Sequence, residues 1–290
     1  MMINLKNKTA FITGGSRGIG LEIGKKLGSL GANIVIASKT TIPTDKLPGT
    51  IFTAAKEIEA TGGNCLPLKC DIRFEEQIFE AVEAAVKEFG GIDFCINNAS
   101  AIVPLPTPDI SGKKYDLMHQ INGRGTFLTT KFCVPFLKKS DHPHVLTLSP
   151  PIDLNDKWFF PHLAYTMSKM SMSLCTLGHA REFKKYGIGV NSLWPLTAID
   201  TSAVRNILGG REIAMRSRKP TIMADAAIEI LKKSPVEFTG NFLIDELVLR
   251  ECGYNDFQKY LISDEELIRD FFIPDEIGDS MLTKTTSIYK

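Results

Sequence analysis

Tyr165 and Lys169 stand four residues apart, a spacing that brings both side chains onto one face of a helix. An ammonium beside a phenol stabilises the phenolate, so this pair can give and take a proton at a carbonyl or carbinol oxygen. The same two residues also fit an ordinary amphipathic helix, and spacing alone does not separate the two readings. A second cluster, Thr13-Gly14-Gly15-Ser16-Arg17-Gly18-Ile19-Gly20, tips the balance toward catalysis. It lies between a β-branched run and an amphipathic one. Glycines there let backbone N–H groups approach a pyrophosphate closely, and the following helix N-terminus adds partial positive charge. Acid/base chemistry next to a dinucleotide site points to redox chemistry at a carbon–oxygen bond.

Such residues must be held by a scaffold, and the chain supplies one by alternation. Short β-branched runs at 9–13, 33–38, 64–70, 92–97, 144–149, 188–193 and 242–245 read as strands. Helical spacing of apolar residues falls at 19–30, 75–89, 113–137, 163–185 and 224–232. This pattern predicts an α/β protein: a single doubly wound Rossmann domain, seven parallel strands in one sheet with helices on both faces. The glycine cluster then closes the first strand and opens the first helix, and Tyr165 and Lys169 ride on the helix after the fifth strand. Residues 1–245 are expected to form the nucleotide-binding catalytic domain, with 246–290 a C-terminal extension, partly packed and frayed at its end.

The glycine spacing T-G-x-x-x-G-x-G resembles the signature of the short-chain dehydrogenase/reductase family. Three further segments agree with it: Asn97-Asn98-Ala99, Tyr165-Thr166-Met167-Ser168-Lys169, and Pro195 after the sixth strand. The resemblance covers about residues 5–245. It implies catalytic roles for Tyr165, Lys169 and Asn122, the last ordering a water that relays protons to Lys169. It implies cofactor contacts from Gly14, Gly15, Ser16, Arg17, Gly18, Ile19, Gly20, Asn98 and Lys169, and from Asp71 against the adenine. The runs at 33–40, 49–55, 148–151 and 238–242 resemble a lipid-linked branch whose members usually carry a sterol-carrier domain. That implies a lipid-linked reductase or dehydrogenase, here without the appended carrier.

Three positions depart from the family pattern. The family places a Ser 13 residues before the Tyr, just after the fifth strand; residue 152 is Ile, and Pro150 fills the strand-end slot. Proline has no hydroxyl to bind a substrate oxygen. Ser149 lies one step earlier, on the opposite face of a regular strand; either the strand end bulges to present it as the catalytic serine, or the enzyme works without a serine, or catalysis is compromised. Ser100 replaces the glycine of the Asn-Asn-Ala-Gly motif, and Leu196 follows Pro195.

The cofactor expected is NADP. An NAD site wants Asp or Glu about 20 residues past the glycines, and residues 33–44 contain neither. They offer Lys39, with Arg17 in the loop as a second cation for a 2′-phosphate. Trp158-Phe159-Phe160, Leu196, Ile199, Val204, Ile207 and Leu208 predict apolar walls and hence an apolar, lipid-like small-molecule substrate; packing against the domain body or a second subunit is the competing use of these side chains. The rival functional reading is a non-catalytic NADP-binding or sensor protein, its turnover lost through Pro150. A homodimer or homotetramer is the family default.

Composition narrows the partners. The 290 residues carry 34 Lys+Arg and 33 Asp+Glu, a net +1, with basic residues only in pairs such as Lys138-Lys139; no nucleic-acid footprint is present. Hydrophobic residues make up 43%, enough for a core without metal or disulfide staples. Six scattered cysteines, no signal-peptide run, no membrane-spanning stretch and no Ser-Lys-Leu terminus lead to the expectation of a cytoplasmic protein. His142 and His144 lack a third ligand nearby, so no metal is expected.

Overall fold

Runs rich in Val, Ile and Phe become strands because they fill a surface buried on both faces. In the computed structural model, which describes residues 3–45, 47–275, 277 and 283–286, these are β1 (Thr9–Thr13), β2 (Asn33–Ser38), β3 (Asn64–Lys69), β4 (Phe94–Asn97), β5 (His144–Thr147), β6 (Gly189–Trp194) and β7 (Phe242–Ile244). All seven pair in parallel, in the order β3-β2-β1-β4-β5-β6-β7. The order reverses between β1 and β4, and that switch point opens the crevice above the carboxyl ends of the strands.

Period-two alternation sends neighbouring side chains of one strand into different cores. Ala10 and Ile12 of β1 pack with Ile23 and Leu27 of α1 (Gly18–Ser29) and Ile228 of α9 (Thr221–Leu231). Phe11 between them packs with Val82 of α3 (Glu75–Phe89), Leu128 of α5 (Thr126–Leu137) and Phe183 of α6 (Leu163–Phe183). Each such side chain, fully buried, contributes roughly 1.5–3 kcal/mol.

Two differences from the sequence reading bear on the site. A helix at α2 (Ile51–Glu59) was not expected; Thr50 and Thr53 cap it reciprocally, the Thr53 N–H to Thr50 Oγ1 at 3.1 Å and the Thr50 N–H to Thr53 Oγ1 at 2.9 Å. The helix expected over 113–137 is interrupted: α4 (Gly112–His119) passes into a π-helical turn at Gln120–Gly125 before α5. Gly123 lies so close to Ser171 of α6 that a Cβ there would strike the Ser171 hydroxyl, so the wide turn is pressed onto α6.

Between β6 and β7 lie α7 (Ser202–Asn206), α8 (Gly210–Met215) and α9, and α10 (Asp245–Glu251) follows β7 directly. The chain beyond 245 packs onto the domain. Val248 and Leu249 of α10 enter the main core. Residues 267–273 cross the carboxyl end of β6 as a strap: the Ala198 N–H donates to Ile268 O at 2.9 Å, the Ile268 N–H to Arg216 O at 3.0 Å, and the Asp270 N–H to Leu196 O at 3.0 Å. Part of the stretch expected to fray is held as well, because buried Glu246 accepts from the backbone N–H and hydroxyl of Thr283 at 3.0 Å each. β8 (Leu267–Ile268) also pairs with β9 (Thr285–Thr286). The final residues, 287–290, lie outside the described residues. Among the described residues no helix is long and apolar enough to cross a membrane.

Candidate active site

At the switch point the β1–α1 loop and the end of β4 are laced together. Thr13 Oγ1 accepts from the backbone N–H groups of Asn98 (3.1 Å) and Ala99 (3.2 Å), while Asn98 Nδ2 donates to the Thr13 and Gly14 carbonyls at 3.0 and 3.1 Å. Gly14 sits at φ +68°, and a Cβ there would lie 2.8 Å from Ala99 Cα. Only glycine permits both the left-handed turn and this approach. A cleft of about 670 Å³ results, lined by Gly14, Arg17, Gly18 and Ile19 with Lys39, Asp71 and Asn98. Gly15, Ser16 and Gly20 lie beneath it: Gly15 against Ile36, Gly20 against the Asn98 amide, and Ser16 accepting from the Ser38 hydroxyl at 3.2 Å. These three are expected to shape the floor rather than present side chains.

The charged residues at the far end of the cleft are unequally committed. Asp71 is gripped by Arg73 through bonds of 2.6–3.1 Å; burial pushes its carboxyl up, but the guanidinium outweighs that and holds it below its usual range. Arg17 donates one Nη2 bond to Gly49 O at 2.5 Å, and its buried Nε has no partner among the described residues.

Helix α6 carries Tyr165 and Lys169. Tyr165 and Lys169 are both buried, at 5% and 2% exposure, so neither is a solvated surface residue. Lys169 Nζ donates to Leu148 O at 2.7 Å, touches Met172 Sδ at 3.2 Å, and lies 4.8 Å from the centre of the Trp194 ring. Burial strips water from the ammonium and lowers its pKa to about 7, with the Asp270 charge partly offsetting this. Asn122, in the π-helical turn, links the cleft wall at Ala101 to α6. Its Oδ1 accepts from the Ala101 N–H (2.8 Å), and its Nδ2 donates to Ala101 O (3.0 Å) and Ser168 Oγ (2.8 Å). Its side-chain amide is spent on these three bonds, and its main-chain carbonyl accepts from Thr126.

Residues 8–210 match the short chain dehydrogenase family. Hydroxysteroid dehydrogenase-like protein 2 of Bos taurus is 53% identical over 282 residues, 97% of this chain, and its Homo sapiens counterpart is 51% identical over 279, 96% of the chain. The chain spans 66% of the length of each of these curated relatives. The crystal structure of a short chain dehydrogenase from Mycobacterium thermoresistibile, 48% identical, superposes with a TM-score of 0.88 over 93% of this chain and 96% of that one. The chain belongs to the short-chain dehydrogenase family. It is thus a member of an oxidoreductase family, related to the hydroxysteroid dehydrogenase-like proteins.

The end of β5 departs from the short-chain dehydrogenase pattern at Pro150. The strand end does turn after β5, the Ser149 N–H bonding back to Thr147 O at 2.9 Å. This turn carries the Ser149 hydroxyl into the protein, where it shares a 2.8 Å bond with Ser192 Oγ of β6, which in turn donates to Thr176 Oγ1 of α6 at 2.8 Å. All three are fully buried, and the structure places Ser149 in a sheet–helix tie. Pro150 is fixed through its carbonyl, which accepts from Ser173 Oγ at 2.7 Å.

Sequence reasoning missed the cap over Tyr165. Phe271 and Phe272 of the strap lie 6.5 and 6.1 Å from the Tyr165 ring, with His162 at 5.6 Å, and Trp158, Trp194 and Leu196 complete the cluster. The Trp194 indole N–H donates to Phe271 O at 2.7 Å. Of the expected apolar walls, Ile199 belongs instead to the main core and Phe160 projects into solvent at 76% exposure. A Phe-Phe pair so far along the chain carries no periodic signal that would place it here.

His142 and His144 meet at the amino end of β5. Their Nε2 atoms are 3.2 Å apart and reach the carbonyls of Leu231 (2.7 Å) and Lys233 (3.2 Å) respectively. Burial, reinforced by His142, drives the His144 pKa down to about 3. An unfolded imidazole protonates near 6.5. Between these values the unfolded chain holds the extra proton, so stability falls as pH falls. Wild type should therefore lose about 2 kcal/mol from pH 7 to pH 5 relative to His144→Asn. Urea unfolding of both proteins at the two pH values checks this, and parallel pH dependences would remove the assignment.

Proposed function

We propose that the chain is an NADP(H)-dependent oxidoreductase that moves a hydride between nicotinamide and the carbonyl or alcohol carbon of an apolar, lipid-like molecule. One observation carries the reading: Asn122 ties the wall of the glycine-lined cleft, at Ala101, to the helix that holds Tyr165 and Lys169. A bound nicotinamide would supply or take up the hydride. Tyr165 would pass the accompanying proton to or from the substrate oxygen, and Lys169 beside it would stabilise the phenolate. Residues 1–245 would supply the nucleotide site, and those after 245 would close its substrate side.

The cleft fits a dinucleotide, since Gly14, Gly18 and Ile19 line it where α1 begins, and the helix N-terminus would face the charge of a pyrophosphate. The 2′-phosphate would meet Lys39 and the Arg17 side chain, whereas Asp71 is already engaged by Arg73. Charge-assisted bonds of this kind amount to roughly 1.5–3 kcal/mol, so NADPH should bind at least tenfold more tightly than NADH, and Lys39→Asp should erase that margin. Titration of both nucleotides, followed by a panel of acyl, retinoid, steroid and quinone carbonyls with NADPH, tests the assignment. Equal affinities in the wild type, or an unchanged preference in the variant, would sink it.

Trp158, Leu196, Phe271 and Phe272 around Tyr165 support an apolar substrate. The second reading, a nucleotide-binding sensor without turnover, is favoured by one observation, the missing hydroxyl at Pro150 with Ser149 turned inward. A homo-oligomer is supported by the face of α6 that leaves Leu163, Met167, Leu174 and Leu177 exposed, with Phe127 of α5 at 49%. Light scattering should read at least twice the 32.0 kDa chain mass, and a monomer would discard this part.

A further inference from the structure

We infer that Trp194 is a positioning residue for Lys169, and that it ties the placement of that ammonium to the seating of the C-terminal strap. This rests on the reading of Lys169 as part of the active site. The indole works at two ends. Its face lies 4.8 Å from Lys169 Nζ, inside the range at which a cation is held by an aromatic ring, and most effectively where water is excluded. Its N–H donates to the carbonyl of Phe271 at 2.7 Å, and Phe272 lies 6.0 Å from the ring. The remaining contacts of Nζ are the Leu148 carbonyl and a thioether, neither of which fixes the ammonium laterally.

Trp194 is the last residue of β6, and Pro195 follows it, so its backbone is set by the sheet. The strap is set by Trp194 in turn and by the backbone bonds at Leu196 and Ala198. A ligand that moves Phe271 would therefore move the indole, and with it the ammonium. The acid/base groups facing Lys169 are Asp270 from the strap, with Asp245 at the start of α10 acting on Asp270, and Tyr165 on its own helix. The end of β5 contributes a carbonyl only.

The contact can be tested without turnover. In a Trp158→Phe background Trp194 is the sole tryptophan, since the chain has two. Its emission should change across a transition centred near pH 7, where Lys169 loses its proton. Lys169→Met in the same background should abolish the transition, and Asp270→Asn should preserve it. Survival of the transition in the Lys169→Met protein, its loss in Asp270→Asn, or a flat emission from the folded parent would each overturn the inference.

Two further variants read the consequence for the site. Trp194→Phe keeps an aromatic face and loses the N–H, and Trp194→Leu loses both. The pH midpoint of nucleotide affinity should stay within a few tenths of a unit in the first and fall by about one unit in the second. An unmoved midpoint in a folded Trp194→Leu protein also overturns the proposal. If the wild type reduces no carbonyl, the function proposed above fails while the emission titration still decides this contact.

Discussion

Replacing Tyr165 with Phe is expected to lower turnover about 10²-fold or more while leaving nucleotide affinity within about twofold, the scale set by loss of a single acid/base group. The ring itself is a structural element, packed with His162, Phe271 and Phe272, and Phe preserves it. Only one oxygen is removed. Lys169→Ala should behave differently and harm both turnover and nucleotide binding, because it empties a buried space beside Leu148 and Trp194. Steady-state kinetics with NADPH, together with a nucleotide titration on each variant, separates the two. Wild-type turnover in Tyr165→Phe would end the acid/base assignment.

Substituting Phe272 with Ala is expected to cost about 3–5 kcal/mol, the usual range for deleting a fully buried aromatic ring. The site is unusual in its backbone as well. Phe272 adopts φ +65°, a left-handed conformation that side chains with a Cβ rarely occupy. A bulky residue stays there only when its surroundings over-determine it. Here the surroundings are the rings of Trp158, Tyr165, Trp194 and Phe271, at 5.7–6.2 Å. Phe272→Gly would relax the backbone yet still lose the ring, so it should recover only part of the deficit. Urea unfolding measures the loss, and limited proteolysis within 267–275 reports whether the strap lifts before the sheet melts. A Phe272→Ala protein as stable as the parent, with the strap still protected, would show that the ring does not hold the cap.

How much of this was legible in the sequence depended on whether the cause was local. β1 and β2 fall at their expected bounds because β-branched alternation and the glycines after β1 are properties of adjacent residues. The pair Tyr165 and Lys169 share a helix face because four-residue spacing dictates it. The break at Gln120–Gly125 was hidden, since Gln120, Ile121 and Asn122 are compatible with a continuous helix; the wide turn comes from Gly123 pressing on Ser171, 48 residues away in the chain. α2 carried a signal that was overlooked, a Thr-x-x-Thr box rather than the commoner Thr-x-x-Glu. Ser149 could be debated but not placed, since its partners Ser192 and Thr176 belong to other elements. The strap was beyond reach, for Asp270, Phe271 and Phe272 meet the site only through the tertiary fold.

The strap also sets an order of events in time. Trp194 and the carbonyl that anchors it, at Phe271, are separated by 77 positions. A ribosome adding roughly 5–20 residues per second needs about 4–15 seconds to cover that distance. Over this interval the glycine loop, Asn122, Tyr165 and Lys169 have all been synthesised, but the aromatic cap has not. A newly made chain therefore passes through a stage in which Tyr165 lacks the cover of Phe271 and Phe272, and that cover is added only when synthesis has passed Phe272.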